Sequence, residues 1–308
     1  MSRYILKRLA AAFISMFFLI TITFFLMHAI PGGPFSASER KNLNPKIVEA
    51  IRARYGLDQP VWKQYVNYIS KLVQGDMGVS YKKTNYTVNE LLATGFPVSG
   101  QVGILAIVVA LILGIPLGIV SALKRGSLAD MGAMVIATIG ISIPTFVIAM
   151  LLMYVFCMKW SVLPSYGWGG IKYLILPVFC MSLSPMANVT RLTRSSMLEV
   201  SRQEYIKTAR SKGLPEGVVI FKHMLKNALL PVITYIGPLV AALMTGSFAI
   251  ERLFMLPGMG RYFVNAVSDR DYTVIMGMTI FYGAFVMLCT LLVDIAYAFI
   301  DPRVRITR

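Results

Sequence analysis

The sequence predicts an all-α integral membrane protein: six membrane-spanning helices, with a long helical loop after the first. Two observations carry this. The 308 residues are 56% hydrophobic and 14% charged, with a mean hydropathy of +0.67. A soluble domain runs at about 45–50% apolar and about 25% charged. Six stretches are also long and apolar enough to cross a bilayer, which takes about 20 residues.

The same composition excludes several function classes. Three cysteines give no disulfide framework and no CxxC pair, and there are only two histidines. The chain has no HExxH, no GxxxxGK[ST] and no GxSxG. No catalytic residue, metal ligand or cofactor is therefore expected in it. The net charge of +16, in so oily a chain, suits the cytoplasmic loops of a membrane protein better than a nucleic-acid surface.

The first span is Leu9–Ile30. Lys7 and Arg8 precede it as in a signal peptide, but its apolar run exceeds an h-region of about 7–15 residues and no A-x-A site follows. It is expected to stay as an anchor. Val98–Leu123, Met131–Phe156, Leu174–Asn188 with its flanks, Leu229–Ile250 and Val274–Ile300 follow. The fourth is the weakest, short and bounded by Pro177 and Pro185, where a kink is expected. With the N-terminus inside, the inner segments hold 16 Lys and Arg and the short outer loops five. The segment Pro31–Pro97 is too long to vote. Both termini are expected in the cytoplasm.

That long outer segment carries helix signals. Asn44 and Pro45 read as N-cap and first residue of a helix ending at Tyr55–Gly56, and Pro60–Gln74 as a second, stopped by Gly75. Val61, Tyr65, Ile69, Leu72 and Val73 form an apolar stripe, and Trp62, Tyr65 and Tyr68 suit a membrane interface. A cap over the outer face and a platform for an external partner are both compatible with this.

The inner loop Val189–Ala228 is far longer than two neighbouring helices need. Ser201-Arg202-Gln203-Glu204 has capping-box form. Tyr205, Thr208, Ala209 and Lys212 then share one face. Gly213 supplies a left-handed stop before Leu214, and Pro215 opens a second helix toward Pro231. The segment reads as helix, Gly turn, helix: either a solvated basic hairpin or a rigid lever docking through the face around Ala209. Breaks are expected inside spans at Gly114–Pro116, at Pro144 between Ser142 and Thr145, and at Gly237-Pro238. Gly114-x-x-x-Gly118 could be a helix-packing face. Asp294 is the one carboxylate read as lying well within a span, and His28 reads as an interfacial polar residue. Cys157, Cys180 and Cys289 read as packing residues.

Along Glu204–Pro231 the chain resembles the inner-membrane permease subunits of ATP-binding-cassette importers. The run Glu204-Tyr205-Ile206-Lys207-Thr208-Ala209-Arg210-Ser211-Lys212-Gly213-Leu214 stands where that family has its EAA loop, with Lys207-Thr208-Ala209 in place of the triplet. The spacing from Gly213 to Pro231 and the run Lys222–Pro231 look like the peptide/nickel branch. Pro31-Gly32-Gly33-Pro34-Phe35, most like oligopeptide permeases of the B type, agrees. So do Arg54–Pro60, Gly75–Ser80, Phe254–Arg261 with Pro257, Gly258 and Gly260, and Arg270-Asp271-Tyr272.

The resemblance implies a type I importer transmembrane domain with a long extracytoplasmic helical loop, in the bacterial cytoplasmic membrane. It implies a homologous second permease of the oligopeptide C type, two ATPase subunits carrying ATP and Mg, an extracytoplasmic peptide-binding protein and a peptide cargo. Glu204, Tyr205, Thr208, Ala209, Lys212, Gly213 and Leu214 would couple to the ATPase. Pro116, Ser142, Pro144, Thr145, Gly237 and Pro238 are candidate pathway positions. The expected segmentation is 1–30 anchor, 31–97 outer loop, 98–300 core with coupling loop 189–228, and 301–308 tail. A dipeptide or nickel permease is the near alternative. A self-contained secondary transporter would need coupling charges in the membrane or an internal repeat; one Asp in six spans and no evident repeat argue against it.

Overall fold

The computed structural model describes residues 2–30, 49, 53, 55–83 and 85–300. The expected helix at 44–55 apart from residues 49, 53 and 55, the 31–35 run, the tail and the Asp294 side chain lie outside the described residues. The elements are α1 (Ser2–Ala29), α2 (Val61–Val73), α3 (Val88–Leu123), α4 (Leu128–Ser142), α5 (Thr145–Met153) and a π-helical turn at Tyr154–Lys159. Then come α6 (Ile171–Val200), α7 (Glu204–Ser211), α8 (Glu216–Val218), a second π turn (Val219–Met224) and α9 (Leu225–Ala228). Last are α10 (Leu230–Met244), α11 (Phe248–Leu253), α12 (Met259–Asp269) and α13 (Tyr272–Ile300). Five described helices are long and apolar enough to cross a membrane, or six if the bent pair α4 and α5 makes one span.

That pair covers the expected third span, Met131–Phe156, and the break expected at Pro144 is present: α4 and α5 meet at 102°. Pro144 lacks an N–H and its ring pushes the residue before it out of the helical region. Ile143 is accordingly extended, at φ −93° and ψ 127°. Pro177 and Pro185 do not end the helix: both are buried inside α6, which is helical from Ile171 to Val200. The supposed loop residues 189–200 are thus its last turns. α3 likewise begins before the expected Val98. Thr87 and Glu90 close a capping box: the Glu90 amide donates to Thr87 Oγ1 (3.1 Å) and the Thr87 amide to Glu90 Oε2 (2.9 Å).

The chain forms two compact units, and α3 and α13 contribute to both. The first is residues 1–97 with 257–287. Ile20, Phe24 and Met27 of α1 recur at helical spacing and pack on Tyr272, Met276 and Ile280 of α13, with Tyr65, Tyr68, Ile69 and Leu72 of α2 alongside. Val61 and Val73 leave the expected stripe and are exposed. A second cluster joins Val88, Leu91 and Leu92 to Met259, Ala266, Val274 and Met278. His28 lies 2.8 Å from the Phe24 carbonyl and 3.3 Å from Gln64 Oε1 and stacks on Phe24, a packed polar residue.

The second unit is 98–256 with 288–308, and α6 is its axis. A Cβ on Gly114 would lie 2.9 Å from the Met186 carbonyl oxygen, and one on Gly118 2.7 Å from that of Thr190. The small-residue face therefore serves packing within the chain, with α3 and α6 backbone to backbone. Cys180 is buried in the apolar cluster around Val102, Ala149 and Phe254, and Cys157 packs against it.

Candidate functional site

The segment after α6 folds as the expected hairpin, by a different local route at its start. Ser201 does not cap α7. Its hydroxyl turns back and donates to the Leu198 carbonyl (2.8 Å), and the N-cap is Gln203. α7 ends at Ser211 and Lys212 caps it, its amide donating to the Thr208 carbonyl (3.1 Å). Gly213 follows at φ +72°, where a Cβ would be strained although nothing lies within 4 Å of it. Pro215 is the N-cap of α8, its carbonyl accepting from Val218 (2.9 Å) and Val219 (3.1 Å).

Three contacts make the hairpin one body. Ile206 and Ala209 face inward, against Val219, Met224 and Ala228 of the return limb, Met197 of α6 and Ala122 of α3. Asn227 Nδ2 donates to Tyr205 Oη at 2.7 Å. Arg210 meets Glu216 in a two-point ion pair, at 2.5 and 3.2 Å. The guanidinium holds the Glu216 carboxyl below the usual glutamate range, and the carboxylate raises Arg210 in return. Ala209 is therefore 6% exposed and corrects the expected docking face. Period-four spacing puts it in line with Tyr205, but burial goes to the neighbouring line through Ile206. What α7 and its turn present outward is Glu204, Tyr205, Thr208, Lys212, Gly213 and Leu214, with Val218 and Phe221 beyond. Glu204 pairs with Lys207 at 2.8 Å.

The candidate pathway positions sit on separate elements. Pro116 and Pro238 lie exposed on helices that run through them unbroken. Gly237 is buried, its Cβ position 2.7 Å from Val293 Cγ2. The break is real only at 142–145, where Ser142 ends α4, Pro144 is the N-cap of α5 and Thr145 begins it.

The residues before the last span have structural work. Asp271 is 2% exposed. It accepts from the Ser80 hydroxyl, from the Lys82 amide (3.3 Å) and, as a cap of α13, from the Val274 amide (3.4 Å). The Gly75–Ser80 loop is thereby tied down, and Asn89 braces it through Gly75 O (2.8 Å) and the Met77 amide (3.1 Å). Gly258 and Gly260 are buried and Pro257 half-buried. Burial pushes the Tyr68 and Tyr81 phenols upward.

Two buried carboxylates escaped the sequence reading, which singled out Asp294. Glu251 is 1% exposed and accepts from Ser99 Oγ at 2.6 Å. Asp130 is 5% exposed and is gripped by Arg194, which sequence counts as a loop cation. The signal for Asp130 was Ser127-Leu128-Ala129-Asp130, an N-cap serine with an acid three residues on; Ser127 Oγ accepts the Asp130 amide at 3.4 Å.

Known proteins match this chain over nearly its whole sequence and over 68–70% of its structure. The family model described as binding-protein-dependent transport system inner membrane component matches residues 114–306, and a model of its N-terminal part matches 1–99. The dipeptide transport system permease protein DppB of Bacillus subtilis is 44% identical over 306 residues, covering 99% of each chain. The oligopeptide transport system permease protein OppB of Salmonella typhimurium is 43% identical over 307 residues, covering 99% of this chain and 100% of its own. Among solved structures, the inward-facing MetNI methionine ABC transporter aligns with a TM-score of 0.58 at 16% identity, over 68% of this chain and 96% of that one. An amino acid ABC transporter aligns at 0.50 and 14% identity, over 70% and 94%. At such identities these two speak for the fold alone, a type I importer transmembrane domain. Matched by family models along almost its full length and by relatives end to end, this multi-pass chain belongs to the inner membrane components of binding-protein-dependent transport systems.

Proposed function

We propose that the chain is the permease subunit of an ATP-driven peptide importer and forms half of the path across the cytoplasmic membrane. The observation that carries this is the hairpin: a rigid body packed on the ends of α3 and α6, with an outward rim of Leu214, Val218 and Phe221. Such a body transmits force and has no motor of its own. Two ATPase subunits, holding ATP and Mg, sit beneath the permease pair in the cytoplasm, and the hairpin is this chain's coupling contact with them. The 16-to-5 bias of basic residues supports this side for the hairpin and both termini. A homologous second permease completes the path, and an extracytoplasmic binding protein delivers peptide to the side of the 31–97 loop and of Pro257–Asp271. The bend at Ser142–Thr145 lines the path; Pro116, Gly237 and Pro238 flank it.

The peptide assignment rests on relatives whose names specify dipeptide or oligopeptide transport, at 44% and 43% identity. That near-equality keeps a dipeptide permease as the second reading. The test is uptake of a labelled pentapeptide into proteoliposomes holding the permease pair, ATPases and binding protein. ATP-dependent accumulation of the pentapeptide supports oligopeptide import; accumulation of a labelled dipeptide with none of the pentapeptide supports the second reading. No accumulation of either overturns both.

A further inference from the structure

Arg194 clamps Asp130 with two parallel bonds, Nε to Oδ1 at 2.7 Å and Nη2 to Oδ2 at 2.9 Å. The carboxylate also accepts the Ser121 hydroxyl, from the end of α3, and the Gly126 amide (2.9 Å), from the turn between α3 and α4. Asp130 thus has four donors from three elements, and the Arg194 side chain is 25% exposed. Bidentate Arg–carboxylate pairs fix geometry as well as proximity. One turn beyond Arg194, Met197 enters the cluster that holds the hairpin.

At its far end α4 is pinned again. A Cβ on Gly140 would lie 3.1 Å from the Leu183 carbonyl oxygen of α6. Ile143 and Pro144 follow directly, where the chain bends by 102°. A helix fastened to α6 at both ends has to follow it. Close packing at Gly140 and the forked ion pair at Asp130 together fix one register between α4 and α6.

We propose that Asp130 and Arg194 are positioning residues that carry displacement of the hairpin through α6 and α4 to the bend at Ser142–Thr145. This rests on the reading of the hairpin as the ATPase-coupling element. Coupling then runs through a contiguous set of fixed contacts, and removing the lock leaves docking intact while disconnecting the bend.

The test uses the assembled complex of both permeases and both ATPases in lipid, with Cys157, Cys180 and Cys289 replaced by Ala. One probe is Ser142→Cys, read by maleimide alkylation with and without a non-hydrolysable ATP analogue. The other is Lys212→Cys, read by its protection in the docked ATPase contact. With the lock intact, nucleotide changes the Ser142→Cys rate by about fivefold or more. With Asp130→Asn or Arg194→Gln that response falls below about twofold, while Lys212→Cys stays protected. The exchange Asp130→Arg with Arg194→Asp restores part of the response. A full response in both single variants overturns the proposal, as does loss of Lys212→Cys protection in them without recovery on exchange, which marks a merely structural contact. If Lys212→Cys is never protected with the lock intact, the coupling reading beneath it fails as well. Neither probe needs peptide, so the cargo assignment is judged apart.

Discussion

Arg210 reaches across the Gly213 turn to Glu216, Nη2 to Oε1 at 2.5 Å and Nε to Oε2 at 3.2 Å. The two residues stand on opposite limbs of the hairpin, and both are largely exposed. Exposed pairs add little to stability because water and salt screen them. A forked pair over a turn still restricts the angle between two short helices. The apolar layer of Ile206 and Ala209 beneath supplies the cohesion, and the ion pair supplies alignment.

The pair has a defined pH dependence. Arg210 lowers the Glu216 carboxyl below its ordinary value of 4.5. A lowered acid contributes above its unfolded value and loses that contribution as pH falls through the folded one. The clip is therefore intact at pH 7 and at pH 5, and opens only in stronger acid. Glu216→Gln should mimic opening at neutral pH, with amides of 212–219 exchanging a few-fold faster. Salt near 1 M should act in the same direction. Unchanged exchange in both would show that the pair does not align the hairpin.

Burial of Ala209 yields a second expectation. Ala209→Leu overfills the layer against Val219, Met224 and Ala228 and should cost roughly 1–3 kcal/mol of local stability. Thr208→Leu, on the exposed neighbour, should stay within about 0.5 kcal/mol. Trypsin cleavage after Arg210 and Lys212 in membranes reports the difference. Equal cleavage of the two variants would contradict the inward placement of Ala209.

Much of this hairpin was legible in sequence because glycine and proline act locally. Gly213 and Pro215 mark the turn whatever surrounds them, and so do Gly56, Gly75 and Pro144. What escaped depends on competing local hydrogen bonds or on partners remote in sequence. Ser201 fits a cap, yet the end of α6 offers it the Leu198 carbonyl first. Pro177 and Pro185 bound the short apolar run that sequence offers for the fourth span, yet α6 extends on both sides of it, from Ile171 to Val200. Asp130 is unremarkable until Arg194, 64 positions on, closes over it. The face of α7 was misread by one residue, since over eight residues the lines through Tyr205 and Ile206 differ too little in spacing to separate.

Gly213 carries a third prediction. At φ +72° any Cβ is strained, although the space around it is open. Gly213→Val should therefore cost roughly 1–3 kcal/mol of backbone strain, and Gly213→Asn, which tolerates this region, much less. The valine variant should insert in the membrane and lose ATPase pull-down and peptide uptake, and the asparagine variant should keep most of both. Normal coupling in the valine variant would mean that the turn geometry is irrelevant to docking.

The orientation of the chain gives the last prediction. Sixteen Lys and Arg fall on one side and five on the short loops of the other, and positive charge is retained in the cytoplasm. On that rule the hairpin should lie inside and α2 outside. Lys63 is exposed on α2 and Lys212 at the hairpin turn, each with an outward side chain. In a background with Cys157, Cys180 and Cys289 replaced by Ala, each lysine is changed singly to Cys. A membrane-impermeant maleimide on intact cells, with the outer membrane opened where one exists, should label Lys63→Cys and spare Lys212→Cys. Permeabilising the cytoplasmic membrane should expose the second, unless docked ATPase covers it, in which case stripping the ATPase exposes it. Labelling of Lys212→Cys in intact cells with Lys63→Cys protected would invert the topology and leave the hairpin on the wrong side for an ATP-driven partner.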